Sequence, residues 1–96
     1  MKIKDSDVFF HSEGLRVREE ENNEITIYDR NSEQIHELNS SAAEIFRSIG
    51  ESGEILKIIE QYKRKYNLTP EKSRADITST VQKFLKLHLI KKIKSS

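Results

Sequence analysis

The residues able to carry chemistry are few and widely spaced. His11, His36 and His88 are the three histidines, and the 96 residues contain no Cys. No two of these histidines stand four apart, the spacing that puts two imidazoles on one helix face for zinc, and no thiolate is present to complete a tetrahedral site. The missing Cys also excludes disulfides and Fe–S clusters. The one carboxylate run, Glu19-Glu20-Glu21, is a block of like charges that repel one another and favour water, so it reads as a solvated turn rather than an acid–base pair. With glycine confined to positions 14, 50 and 53, no phosphate-cradling loop can be written. Gly50-Glu51-Ser52-Gly53 precedes a helix and could hold an anion at its N-terminus, but an interhelical turn explains it more simply. Each His reads as a boundary or surface residue. The expectation is a non-enzyme that uses neither metal nor cofactor.

Charge says more about partners. The chain carries 17 basic and 16 acidic residues, a net of +1. Residues 1–39 hold five Lys and Arg against ten Asp and Glu, a net of −5, and residues 40–96 hold twelve against six, a net of +6. A basic half attracts nucleic acid or acidic peptide, and equally its own acidic half. Hydrophobic and charged residues each make up 34% of the chain, the latter above the usual share of about 25%. A chain this short buries roughly 60–65% of its extended surface, so a few Ile, Leu and Phe must supply the core. No apolar run reaches the length of a membrane span, and residues 1–7 lack the apolar stretch of a signal peptide. One cytoplasmic domain over residues 1–96 is expected, with an ordered core at about 8–93.

The elements that would position these residues come in two blocks. Val8-Phe9-Phe10 is a short apolar run, and Leu15-Arg16-Val17-Arg18 alternates with period two. Residues 24–29, with Ile25 and Ile27 on one face, are rich in strand formers. Asn22-Asn23 between them suits a hairpin turn because Asn tolerates positive φ. After the turn residues 29–32, residues 33–38 predict a weakly apolar edge strand. At Asn39 the pattern becomes helical. Asn39, Ser40 and Ser41 are capping types, and Ser41 and Glu44 have capping-box spacing. Apolar residues at 42, 45, 46 and 49 form one helix face, which Gly50 is expected to stop. A second helix opens at Ser52 and buries Ile55, Leu56, Ile58, Ile59, Tyr62 and Tyr66. Thr69 and Pro70 start a third, running to Leu87 or His88 and burying Ile77, Val81, Phe84 and Leu85. Residues 89–93 end this helix or form a short strand. The fold class is α+β: a three-stranded antiparallel sheet followed by three helices, like a winged helix-turn-helix.

That outline, with its basic second half, also fits a DNA-binding transcriptional regulator, whose reading helix enters the major groove. The third helix offers only Arg74 and Gln82 toward base edges, however. Lys63, Arg64 and Lys65 sit where cations favour the end of any helix, and the acidic front would repel DNA.

Specific residues add a resemblance. Leu38-Asn39-Ser40-Ser41-Ala42-Ala43-Glu44-Ile45-Phe46 is similar to the Leu-Asn-x-Thr-Ala-x-x-Ile-Trp signature of the PqqD-like proteins, the peptide-recognition elements of ribosomal natural-product pathways. Tyr66-Asn67-Leu68-Thr69-Pro70, then Asp76-Ile77 and Leu89-Ile90, resemble that family's later landmarks, so that the likeness runs over roughly residues 9–93. Three departures are visible: Ser41 stands for Thr, Phe46 for Trp, and His88 for the Gly that gives an easy left-handed helix stop.

The resemblance implies a leader-peptide-binding adaptor of peptide natural-product biosynthesis. The leader of a precursor peptide would add as a strand beside the third one and lie against the third helix, a mode in which main-chain hydrogen bonds give affinity and side-chain pockets give specificity. On this sequence the implied contacts are Glu33, Gln34, Ile35, His36 and Glu37 on the strand, and Lys72, Arg74, Ile77, Thr78, Val81 and Leu85 on the helix. For Ile77 and Val81 the plainer reading is core. The implied partners are the precursor peptide and a radical-SAM enzyme or the leader peptidase of lasso-peptide assembly; no membrane is implied. An open strand edge could also pair two copies as a homodimer.

Overall fold

A computed structural model describes residues 3–93; the ends of the expected 1–96 domain, residues 1–2 and 94–96, lie outside the described residues. The first apolar run forms β1 (Phe9–His11), which stands apart from the main sheet. That sheet is built from β2 (Leu15–Glu19), β3 (Ile25–Asp29) and β4 (Gln34–Leu38), all antiparallel, in the order β2-β3-β4. The β2–β3 turn uses Asn22 and Asn23 at φ 59° and 63°, the left-handed region that Asn tolerates. The β3–β4 turn is held by Asp29, whose carboxylate accepts the Asn31 N–H at 2.9 Å, and it ends on Glu33 at φ 59°.

Register assigns the two faces. Ile25 lies opposite Leu38, Ile27 opposite His36, and Tyr28 between Arg16 and Ile35. Directly opposed residues share a face. The inner face therefore carries Ile25, Ile27 and Leu38 into the core, and the outer face presents Arg16, Arg18, Tyr28, Ile35 and Glu37.

The helices are α1 (Ser40–Glu51), α2 (Ile55–Tyr66) and α3 (Pro70–Lys86). Asn39 caps α1, its side-chain oxygen accepting the Ala42 N–H at 2.9 Å. The expected Ser41–Glu44 capping box does not form. Ser41 instead donates to the Asn39 side chain, and Glu44 reaches across to Lys65 and Tyr66. Gly50 does not stop α1 either. It lies inside the helix, where a Cβ would come within 2.7 Å of the His11 ring. The turn is made by Gly53 at φ +68°, and α2 starts at Ile55 rather than at Ser52. Leu56 and Tyr66, expected in the core, are exposed. Thr69 caps α3 as anticipated, accepting the Lys72 N–H at 3.1 Å, with Pro70 in the first turn.

Residues 89–93 resolve as a strand. β5 (Ile90–Lys92) pairs antiparallel with β1 in a separate two-stranded ribbon. The chain reaches it through a helix stop in which His88 takes the left-handed role of glycine at φ 61°. Its N–H donates to Leu85 O at 3.1 Å, and the Leu89 N–H donates to Phe84 O at 2.9 Å, the paired bonds of a Schellman motif.

Phe46 and Phe84 meet edge to face at 5.7 Å in the core, with Ala43, Ile49, Ile58, Ile77 and Val81 also buried. Ser73, fully buried, donates to Ile59 O at 2.7 Å and locks α3 to α2.

Two left-handed positions give opposite expectations. His88→Gly removes left-handed strain and should raise stability by about 0.5–1 kcal/mol, read as a higher urea midpoint at constant slope. Gly53→Ala forces a Cβ into the Phe9 carbonyl oxygen at positive φ, and should lower stability by about 3 kcal/mol or more.

Candidate functional site

β4 pairs with β3 on one side, and among the described residues no strand pairs with its other side. Where its C-terminal end passes α3 there is a gap of about 280 Å³. Glu37, Leu38 and Asn39 border it from the strand end, and Ser79, Thr80 and Lys83 from the helix. Thr80 donates to Asp76 O within α3, whereas Lys83 is exposed and enters no salt bridge among the described residues.

The strand residues expected at the site fall on both faces of this edge. Glu33 precedes the strand in the turn, and Gln34 and His36 point to the inner side. The buried Nε2 of His36 has no hydrogen-bond partner among the described residues. Ile35 and Glu37 point outward, and Ile35 is 66% exposed beside Tyr28, its cross-strand neighbour.

The helix residues expected at the site are divided between the core and two flanks. Ile77 and Val81 are fully buried and belong to the core. Arg74, Thr78 and Leu85 share one flank of α3, because a helix turns about 100° per residue, and Ser79, Thr80 and Lys83 lie on the flank across from it. It is the second flank that borders the gap. Arg74 pairs with Asp5 at 2.6 Å, whereas Lys72, seven residues before Ser79 and so on the second flank, pairs with Asp76 at 2.9 Å. Both margins of the apolar stripe look equally polar in sequence. The tertiary packing selects between them, and no local pattern records it.

Among the described residues, three ion pairs join the two halves of the charge asymmetry. Arg47 binds Glu19, Arg74 binds Asp5 and Lys92 approaches Asp7 at 3.8 Å, each linking the basic half to the acidic one. The Arg47 hydrogen bond holds the Glu19 carboxyl below the usual carboxylate range. At the end of α2, Lys63 and Arg64 pair with Glu60, and Lys65 with Glu44. No group of His, Asp and Glu among the described residues is arranged to hold a metal ion. No helix among them is long and apolar enough to cross a membrane.

A three-stranded antiparallel sheet with a free edge, backed by three helices, defines a winged-helix-like α+β protein. The family model for coenzyme PQQ synthesis protein D (PqqD) matches residues 24–90, from the start of β3 to the first residue of β5, and the chain belongs to this family. No curated protein and no solved structure matches the chain. Membership ties the chain to the biosynthesis of a peptide-derived natural product, and to interaction with a peptide and biosynthetic enzymes.

The turn that sets the register of β4 rests on a carboxylate. Asp29 is buried, and the Asn31 N–H donated to its carboxylate holds its pKa below the ordinary value. A carboxyl depressed in the folded state adds stability that is present above its unfolded pKa, near 4, and lost as pH falls through the lower folded value. Asp29→Asn keeps an acceptor but does not titrate. Its stability curve should therefore be flatter than that of the parent protein below about pH 4, as measured by urea unfolding across pH 2–6.

Proposed function

We propose that the chain is a non-catalytic adaptor that binds the leader of a ribosomally made precursor peptide and presents it to a modifying enzyme or leader peptidase. The observation that carries this reading is the unpaired edge of β4 running to a gap against α3. A guest strand placed there gains main-chain hydrogen bonds along β4. Its alternate side chains fall beside Ile35 and Glu37 on the outer face, and beside His36 and the α3 gap on the inner face. The partner enzyme in this reading is a radical-SAM protein or the peptidase of a lasso-peptide pathway. Neither requires chemistry from this chain, whose histidines are scattered over β1, β4 and the α3 stop.

A DNA-reading role draws less support. Arg74, the one arginine on α3, is engaged by Asp5, and three basic residues at the end of α2 are engaged by Glu60 and Glu44. Phosphate contacts would have to break those pairs before gaining affinity.

The test is binding of a fluorescent leader peptide taken from the precursor gene nearest this chain's own gene. Ile35→Lys and Ser79→Arg change exposed positions and should each weaken binding at least tenfold, with an unchanged circular dichroism spectrum. The β4 amides should gain exchange protection in the complex. Absence of leader binding, together with duplex DNA binding that falls steeply with salt and is lost on replacing Arg74 and Lys83, would establish the DNA reader instead.

A further inference from the structure

The main sheet has a second free edge. β2 pairs with β3 along one side, and among the described residues no strand pairs with its other side. Leu15 is partly buried, while Arg16, Val17, Arg18 and Glu19 are exposed. Val17 is out of place. It shares the inner face with its opposite residue Ile27, which is fully buried, yet it is itself 45% exposed. A β-branched side chain on the core-facing side of an edge strand, left half in water, lacks the neighbour that a further strand would supply.

Charge decides what kind of strand fits. Arg16 and Arg18 project from the outer face of the same edge. Glu20 already pairs with Arg18 at 2.9 Å, while Arg16 enters no salt bridge among the described residues. A second copy of the chain, pairing antiparallel about Val17, would set each Arg16 opposite the other copy's Arg18. Like charges directly across a strand pair are destabilising, so self-association in this register, the one that brings the two Val17 side chains together, is disfavoured. A strand with acidic side chains facing Arg16 and Arg18, and a β-branched side chain facing Val17, complements all three positions. Its backbone would also satisfy the N–H and C=O groups that β2 leaves open.

We propose that the β2 edge is a docking edge for an extended segment of a partner protein in which acidic and β-branched residues alternate. This holds whatever the β4 edge binds, because the two edges share no strand.

The probe is a capped seven-residue peptide of alternating Val and Glu, with its Val and Lys counterpart as control, followed by amide chemical shifts of the intact protein. The acidic peptide should shift residues 15–19. The double variant Arg16→Glu/Arg18→Glu should weaken it at least tenfold and confer binding of the Lys peptide instead. Retained dispersion of the amide spectrum reports that the variant is folded. Leu15→Thr/Val17→Thr should weaken the acidic peptide several-fold without conferring binding of the Lys peptide. Shifts confined to residues 34–38, indifference to the charge reversal, or no shift at millimolar peptide would each overturn the proposal.

Discussion

The structure depends on one close backbone approach, that of Phe9 to Gly53. The Phe9 N–H donates to Gly53 O at 2.9 Å, and a Cβ on Gly53 would occupy the place of the Phe9 carbonyl oxygen. Around this contact β1 is held on every side. Ile55 N–H donates to Asp7 O, Ile93 N–H donates to Val8 O, and β5 pairs along β1. His11 completes the seam, stacked on Phe46 at 3.8 Å, with its Nε2 2.6 Å from Phe46 O. A carbonyl only accepts, so Nε2 carries the proton there. Because β1 is committed to the helices and to β5, it cannot close the β2-β3-β4 sheet, and that sheet keeps both its edges.

Part of the charge split is met inside the molecule. Three ion pairs cross between the acidic front and the basic back, and most of the cations of α2 and of the first turns of α3 have carboxylates beside them. Exposed pairs of this kind contribute little stability singly. Their larger effect is on the surface, where the field of the basic half is met locally rather than presented to a polyanion. Arg16 and Lys83, which enter no such pair among the described residues, stand at opposite edges of the sheet region.

Much of this was legible in sequence where the cause is local. The Asn22-Asn23 turn, the Asn39 and Thr69 caps, and the buried residues Ile25, Ile27, Phe46, Ile49, Ile77, Val81 and Phe84 all follow from side-chain preference and periodicity. What escaped depends on distant neighbours. Gly50 looks like a helix stop until His11, from β1, lies against it. His88 looks like a poor helix stop, yet the paired bonds to Leu85 and Phe84 outweigh its left-handed strain. Residues 89–93 are ambiguous until β1 supplies a partner. The α3 flank that borders the β4 gap is set at a distance too: the helix period locates the buried stripe but not which of its two margins a strand will approach.

A sheet three strands wide is also a ruler. Adjacent strands lie about 4.8 Å apart, so chains added outside β2 and outside β4 would run four spacings, about 19 Å, from each other. Main-chain hydrogen bonds in each ladder would fix that distance, independent of side-chain identity. Two guests bound by such a platform could not touch along the sheet. They would be held at a set separation and turned by the accumulated twist of the sheet, and any segment passing from one to the other would have to leave the sheet and span it.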